Sequence, residues 1–282
     1  MDGVAGPWAG RLSLGWLTLS GATPLEQIGA AASAGFSDVG LKFVRRPGDT
    51  EPALSEKPWL FADIASSLRD NRVALLNMGS IWLDGRPPLD WCKGALEAGS
   101  TLGARFVIAV VSDPERRRAI DHFTSLCEQC RKLGMHVVIE FFANSAVRTI
   151  EEAHRFVTAS AQDNAGILVD ALHLYRSGGS AGSLRRIPTQ QISFVQICDA
   201  PVRPPLPARL SYEERLDRLD AGAGSLPLLD FAESLPAAIP IEVEVPCRRY
   251  TNMAHRERAA LAGNAVRRLL RSVGSSNVGL SS

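Results

Sequence analysis

The chain lacks the features of membrane, secreted or nucleic-acid-binding proteins. Its longest apolar strand-like run, FVIAVV at 106–111, is far too short to cross a bilayer. The opening residues, MDGVAGPWAG, contain neither a basic region nor an apolar region, so we expect no signal peptide. The formal net charge is +1, which does not favour nucleic acid as a partner. Together these absences predict a soluble, cytoplasmic protein with no membrane or nucleic-acid partner.

Cysteine is scarce and odd in number. There are five Cys, at positions 92, 127, 130, 198 and 247, which predicts free thiols in a reducing compartment. The CEQC stretch at 127–130 has the spacing of a zinc or redox motif, but it lies within a helical pattern and has no second Cys or His pair nearby. We interpret it as two buried thiols on one helix face.

The chain does have the material for a large core and a regular alternation of elements. Its 282 residues suit one α/β barrel, which typically needs ~250. Short links between strand-like and helical runs favour a closed parallel barrel over an open sheet. We therefore predict a single (β/α)8 TIM barrel over residues 1–272, with 273–282 as a disordered tail. The predicted strands are 12–19, 36–44, 72–78, 104–111, 135–141, 165–172, 192–200 and 239–246.

Acidic and amide side chains end the last four predicted strands, where a barrel of this kind places its chemistry. Because side chains alternate along a strand, one face of each strand would bring these groups together over the barrel mouth. They are Glu140, Asp170, Gln196 and Glu244, with Asp199 and Glu242 close by. Clustered carboxylates oppose one another's ionisation unless a cation is present, and oxygen ligands suit Mg²⁺ or Mn²⁺ better than Zn²⁺. Any one acid is more typical of a helix cap or salt bridge, but the joint pattern favours a metal site.

Three further residues are candidates for contact with a substrate. His173 follows Asp170 in the predicted loop and is placed to orient a ligand or a substrate hydroxyl. Arg176 is placed to face an anionic group. Lys42, on the second strand, could reach such a group as well, although a solvated lysine with an apolar stem is the slightly favoured alternative.

Several stretches of the second half resemble the sugar phosphate isomerase/epimerase family, the xylose-isomerase-like TIM barrels. They are VIEF (138–141), LVDALHLYRSGG (168–179), FVQICDAP (194–201), RLDAGAGSLPLLDF (218–231) and IEVEVP (241–246). The first half is similar to the family only in its alternation of strand and helix patterns. The resemblance implies one divalent metal, Mn²⁺ or Mg²⁺, held by Glu140, Asp170, Gln196 and Glu244. Gln196, where many relatives have His, is similar to hydroxypyruvate isomerases and bacterial 3-dehydroshikimate dehydratases. The 222–224 stretch, Gly-Ala-Gly, lacks the acid usual between those glycines.

The resemblance implies a metal-dependent isomerase or epimerase acting on a small polyhydroxy ketone or keto acid. The cation would stabilise an enediolate while Glu140 and Glu244 act as acid and base, with His173 on the substrate side. A lyase that expels a β-hydroxyl from the same intermediate is the alternative. The sequence also allows two further possibilities: a barrel that binds a ligand without turnover, and assembly into a homo-oligomer. A repair enzyme of the AP-endonuclease type is disfavoured. Such enzymes need several metals and many His ligands, and only one of the five His of this chain lies near the predicted ligands.

Overall fold

The computed structural model describes residues 10–45, 53–236 and 238–276. Eight parallel strands pair in sequence order, and β1 closes the barrel against β8. The predicted (β/α)8 TIM barrel is therefore confirmed. The strands are β1 (Leu12–Leu14), β2 (Asp38–Leu41), β3 (Ala74–Leu83), β4 (Phe106–Val111), β5 (His136–Glu140), β6 (Ala165–Asp170), β7 (Ile192–Ile197) and β8 (Ile241–Val243). The helices are α1 (Pro24–Ser33), α2 (Phe61–Asn71), α3 (Leu89–Thr101), α4 (Arg116–Lys132), α5 (Ile150–Ser160), α6 (Ala171–Arg176), α7 (Ala181–Arg185), α8 (Leu210–Leu216), α9 (Leu228–Glu233) and α10 (His255–Ser276).

Local capping signals fix where the helices begin. At α1 the Thr23 hydroxyl accepts the backbone N–H of Glu26, whose carboxylate in turn accepts the Thr23 N–H, and Pro24 occupies the first helical position. Thr149 caps α5 through the backbone N–H of Glu152. These caps satisfy backbone donors that would otherwise lack partners, and so fix the first turn of α1 and of α5.

An apolar layer fills the barrel and supports the residues above it. Its members are Leu76, Phe106, Ile108, Val138, Leu168 and Phe194. Val138, Leu168 and Phe194 each lie two residues before a predicted site residue on β5, β6 or β7. Strand alternation therefore directs Glu140, Asp170 and Gln196 to the barrel interior, above a packed floor. The inward orientation expected from the sequence is confirmed for these three side chains.

Every strand differs in length from its predicted run, and the differences at β1 and β3 shape the barrel mouth. β1 ends at Leu14, because Gly15 leads directly into a 3-10 turn over Trp16–Leu19. β3 runs on to Leu83, beyond the predicted end at 78, because its pairing with β4 shifts register between Met78 and Ile81 instead of stopping at Gly79. The longer β3 carries Ser80 and Trp82 to the barrel mouth.

The C-terminal helix extends into the stretch that was expected to be a disordered tail. α10 continues to Ser276, so the expectation of disorder is wrong for residues 273–276, and residues 277–282 lie outside the described part. A single glycine costs a helix only about 1 kcal/mol, which is not enough to stop one whose preceding turn buries Leu270. Among the described residues, no helix combines the length and apolar character needed to span a membrane.

Helix α8 is tied to the barrel by Arg176. The Nε and Nη2 atoms of Arg176 donate to the two carboxylate oxygens of Glu213, each over 2.7 Å, and Nη2 also donates to the Pro201 carbonyl at 2.7 Å. The guanidinium group that the sequence placed opposite an anionic substrate is thus engaged in a bidentate pair with a buried glutamate. This pair joins the end of α6 to α8.

The cysteines differ sharply in exposure. Cys92, Cys127, Cys130 and Cys198 are buried, whereas Cys247 is partly exposed. Burial raises the pKa of the Cys92 and Cys127 thiols to about 12, which leaves almost no thiolate at neutral pH. The interpretation of CEQC as two buried thiols on one face of α4 is confirmed.

Alkylation of the folded protein should therefore be selective. We expect iodoacetamide at neutral pH to modify Cys247 well before any other cysteine, because the thiolate is the reactive form. Mass spectrometry of tryptic peptides after short exposures measures the order. Early modification of Cys127 or Cys130 in folded protein would contradict the burial of the α4 thiols, and denatured protein, in which all five react, is the control.

The Arg176 pair makes a second prediction. Arg176→Ala should lower the free energy of unfolding by about 3 kcal/mol, because it leaves the buried Glu213 carboxylate unpaired. The control is Arg186→Ala, which removes an exposed pair with Glu151 and should change stability by no more than about 0.5 kcal/mol. Urea unfolding measures both. Equal stability of the two variants would argue against a structural role for Arg176 and favour the substrate contact expected from the sequence.

Candidate active site

A cavity of about 180 Å³ opens at the C-terminal mouth of the barrel. Glu140, His173 and Glu244 of the predicted site line it, together with residues that the sequence did not single out, among them Trp82, Glu214 and Arg218. Asp170 and Gln196 are each only 1% exposed and lie beneath this lining. The mouth therefore gathers the predicted side chains into one region, but only part of the set faces the open space.

Asp170 is held by a helix and by an arginine. Its Oδ1 accepts the backbone N–H of His173 at 3.0 Å and caps α6, so His173 lies in a helix rather than in the predicted loop. Its Oδ2 accepts from Arg218 Nη1 at 2.6 Å, and the same nitrogen lies 3.6 Å from a carboxylate oxygen of Glu244. Burial alone would raise the pKa of Asp170, but the Arg218 and His173 charges keep it below its ordinary value. Asp170 is thus both a cap and a salt-bridge partner.

Glu244 has the most strongly perturbed carboxyl group of the site. Burial raises its pKa, Arg218 opposes the rise, and the charges of Glu140, Glu242 and Asp170 add to it, with the result that the pKa is about 8. This raised pKa favours the protonated form of the group in this arrangement. One guanidinium group is too little positive charge for the carboxylates around it.

Below the cavity, Glu242 fixes the orientation of Gln196. The buried Glu242 carboxylate accepts from Ser13 Oγ at 2.8 Å, Asn77 Nδ2 at 2.7 Å and Gln196 Nε2 at 2.9 Å. Only the NH₂ end of an amide can donate to a carboxylate, so the other end of Gln196, Oε1, must point away. That oxygen is buried and has no partner among the described residues. Gly40 makes room for the network, since a Cβ there would lie 2.7 Å from Glu242 Oε2.

His173 and Glu140 form the other side of the site. His173 Nε2 lies 3.6 Å from Glu140 Oε1, and the imidazole ring stacks at a tilt on Phe142 with centroids 5.2 Å apart. Burial would lower the pKa of His173, but Asp170 and Glu140 raise it above its ordinary value. His173 Nδ1 is buried and lacks a hydrogen-bond partner in the described part of the chain. The ring is therefore placed next to a predicted catalytic carboxylate with one nitrogen unused.

Lys42 lies outside this cavity lining. Its Nζ lies 5.4 Å from the centroid of the Trp16 ring, which is a cation–π contact. This contact is consistent with the alternative interpretation, in which Lys42 packs its apolar stem and binds no substrate. Its predicted contact with a substrate anion stays a prediction.

The loop after β7 is organised by Asp199, and it carries Arg218. The two Asp199 carboxylate oxygens accept the backbone N–H groups of Ala200, Gly222, Gly224 and Leu226. Gly224 is required here, because a Cβ would lie 2.3 Å from Asp199 Oδ1. Asp199 also pairs through its backbone with Leu219, next to Arg218. The glycines of this loop are evident in the sequence, but no sequence pattern indicates that Arg218 reaches Asp170.

The predicted metal ligands match a hard cation in their chemistry and only partly in their spacing. The donors are all oxygens, and Gln196 Oε1 is a buried acceptor without a donor, as a metal ligand would be before its metal binds. Within residues 10–45, 53–236 and 238–276, however, no three Asp, Glu, His or Cys side chains lie close enough to hold an ion. Asp170 is instead turned to Arg218 at 2.6 Å. The four-ligand set stays a prediction, and Arg218 takes part of the place that a cation would need.

Comparisons with known proteins place the chain in a wider group. The inosose isomerases of Bacillus subtilis (strain 168) and Bacillus velezensis are each 26% identical to it over 146 residues. The match takes in 48% of this chain and 51% of the B. subtilis protein. The chain thus spans about half the length of the curated relatives it matches.

Solved structures share the fold at low sequence identity. The crystal structure of the IolI protein with a binding zinc atom has a TM-score of 0.80 at 19% identity, covering 93% of this chain and 99% of that one. The D-allulose 3-epimerase of a Methylomonas species has a TM-score of 0.69 at 17% identity, covering 94% of this chain and 99% of that one. A probable 3-DHS dehydratase of Bacillus anthracis has a TM-score of 0.73 at 12% identity, covering 91% of this chain and 98% of that one. At these identities the likeness is one of fold. A model of the xylose isomerase-like TIM barrel family matches residues 28–272, and the chain belongs to that family.

Proposed function

We propose that the chain is a divalent-metal-dependent isomerase or epimerase that moves a proton next to the carbonyl of a small polyhydroxy ketone or keto acid. The observation that carries the proposal is the pair Glu140 and Glu244, two carboxyl groups that line one cavity. His173, whose Nδ1 has no partner in the described part, lines the same cavity and lies 3.6 Å from Glu140. Two carboxyl groups facing one substrate supply both an acid and a base.

The metal would be held by Glu140, Asp170, Gln196 and Glu244, and Mn²⁺ or Mg²⁺ suits these oxygen donors. When bound, such a cation polarises the substrate oxygens and makes the neighbouring C–H more acidic. The Gln196 amide supports this assignment, because Glu242 holds its Nε2 and leaves the oxygen without a donor among the described residues. The zinc atom in a structure of the same fold is a fact about that protein and is consistent with this proposal.

The chain's own residues would handle the proton and keep water out. One carboxyl group takes the proton from carbon and the other returns a proton, while His173 contacts a substrate oxygen. Leu17, Val110 and Phe142 line the cavity and limit the entry of water. A drier site strengthens the interaction of the carboxylates with the developing charge.

The first test replaces the two proposed acid–base groups. Glu140→Gln and Glu244→Gln should each slow proton exchange at the carbon next to the carbonyl by about 10²- to 10⁴-fold, because an amide neither takes nor gives the proton. Proton NMR in D₂O with a panel of ketoses and keto acids measures exchange whatever the product. Ultraviolet absorption in the same samples reports elimination, which would identify the alternative lyase.

The control for this test is Glu257→Gln, a charge removal on the exposed side of α10 that should leave exchange unchanged. Circular dichroism should show that all variants are folded. Exchange at the wild-type rate in Glu140→Gln or Glu244→Gln would remove that residue from the mechanism.

The second test concerns Arg218 and the metal. Arg218→Met should lower the melting temperature without metal, because Asp170 and Glu244 lose their nearby cation. Added Mn²⁺ should then raise the melting temperature more in this variant than in the wild type, because Asp170 becomes available as a ligand. Differential scanning fluorimetry over a Mn²⁺ series measures both changes.

Arg218→Lys, which keeps a positive charge, is the matched control and should respond to Mn²⁺ more like the wild type. The same Mn²⁺ response in all three proteins would contradict the proposal that arginine and metal compete for Asp170. An Arg218→Met protein too unstable to purify leaves Arg218→Lys against wild type as the comparison, measured by calorimetric titration with Mn²⁺.

A further inference from the structure

Two residues of the cavity lining, Trp82 and Glu214, each carry a buried polar atom without a described partner and take no part in the proposed proton transfer. Trp82 Nε1 is buried, and no described residue accepts its N–H. Glu214 is 7% exposed, and its Oε1 is likewise buried without a described donor. Leaving such groups without partners costs free energy, so each one calls for a ligand atom or an ordered water. Both residues face the same cavity as Glu140 and Glu244.

Trp82 is held in place by aromatic contacts. The register shift in β3 carries it to the barrel mouth, and its ring meets Phe142 edge-on with centroids 6.2 Å apart and an angle of 67°. Phe142 in turn stacks on His173. The three rings form one wall of the cavity, and this packing holds the Trp82 indole N–H in place before any ligand binds.

Glu214 is held in place by its neighbours on α8. The residue before it, Glu213, is bound by both arms of Arg176. The backbone carbonyl oxygen of Glu214 itself accepts a hydrogen bond from Arg218 Nε at 2.8 Å. These contacts fix the backbone of α8, from which Glu214 contributes to the cavity lining.

We propose that Trp82 and Glu214 form a hydroxyl-binding subsite that recognises an uncharged, polyhydroxylated part of the substrate. The indole N–H donates to one ligand oxygen, and the Glu214 carboxylate accepts a hydrogen bond from a ligand hydroxyl. A phosphate or carboxylate at this position would meet the negative charge of Glu214. Of the two arginines in the cavity lining, Arg218 is already bound to Asp170, and Arg215 is exposed, so water screens its charge. The subsite therefore favours a neutral sugar end over a phosphorylated one.

This inference rests on the proposed function for the identity of the reaction, but binding can be measured without turnover. D-sorbitol and D-sorbitol 6-phosphate are suitable probes, because neither has a carbonyl group and they differ only by the phosphate. Isothermal titration calorimetry gives the affinity of each for the wild type, Trp82→Phe and Glu214→Gln. The wild type should bind sorbitol at least about tenfold more tightly than its phosphate, the effect of one like-charge contact.

The two variants should separate the two contacts. Trp82→Phe keeps a ring but loses the N–H, and it should weaken sorbitol binding by about fivefold to tenfold. Glu214→Gln should weaken sorbitol binding and bring the two affinities closer together, because the repelling charge is gone. With a ketose that turns over, both variants should raise KM more than they lower kcat.

Matched controls exclude a general effect of substitution. Trp91→Phe removes another buried indole N–H with no partner among the described residues, but Trp91 does not line this cavity. Glu233→Gln removes an exposed charge on α9. Both controls should bind the probes as the wild type does.

The outcomes distinguish this inference from the proposed function. Probe binding as described, in a protein that exchanges no substrate proton, would support the subsite and reject the reaction. Turnover that depends on Glu140 and Glu244, with Trp82→Phe and Glu214→Gln behaving as wild type, would overturn the subsite and indicate that water satisfies both groups. A wild type that binds no neutral polyol, or that prefers the phosphate, would overturn it as well.

Discussion

Negative charge in a dry barrel mouth is the constraint on which this site depends. Asp170, Glu242 and Glu244 are each 4% exposed or less, and burial makes each ionised carboxylate costly. Arg218 compensates in part, lying 2.6 Å from Asp170 and 3.6 Å from Glu244. Burial, with the neighbouring carboxylates adding to it, still raises the pKa of Glu244 above its ordinary value. The proposed divalent cation would supply positive charge next to these carboxylates.

The barrel turns this constraint into chemistry by fixing its surroundings. The apolar layer beneath the mouth excludes water from below, and Glu242 sets the direction of the Gln196 amide. The Arg176 pair holds α8 against the rim, which positions Glu214. Arginines thus act in two ways: Arg176 supports the wall, while Arg218 shares charge with the proposed ligands.

The sequence predicts the barrel and the inward-facing strand residues well, for a clear physical reason. Alternation along a strand needs only local information, so Glu140, Asp170 and Gln196 were placed correctly from their spacing. Arg218, Trp82 and Glu214 were missed, because their positions depend on the Asp199 loop, on a register shift in β3 and on the docking of α8. Such features arise from contacts distant in sequence. Arg176 and the length of α10 show the same limit, since tertiary contacts decided both.

The most direct measurement of the central claim is an anomalous difference map from crystals soaked in Mn²⁺. We predict a peak next to Gln196 Oε1 and Glu244, with Asp170 released from Arg218 and turned toward the ion. A map without a peak at the barrel mouth, in which Arg218 still binds Asp170, would show that this chain balances its buried carboxylates without a metal.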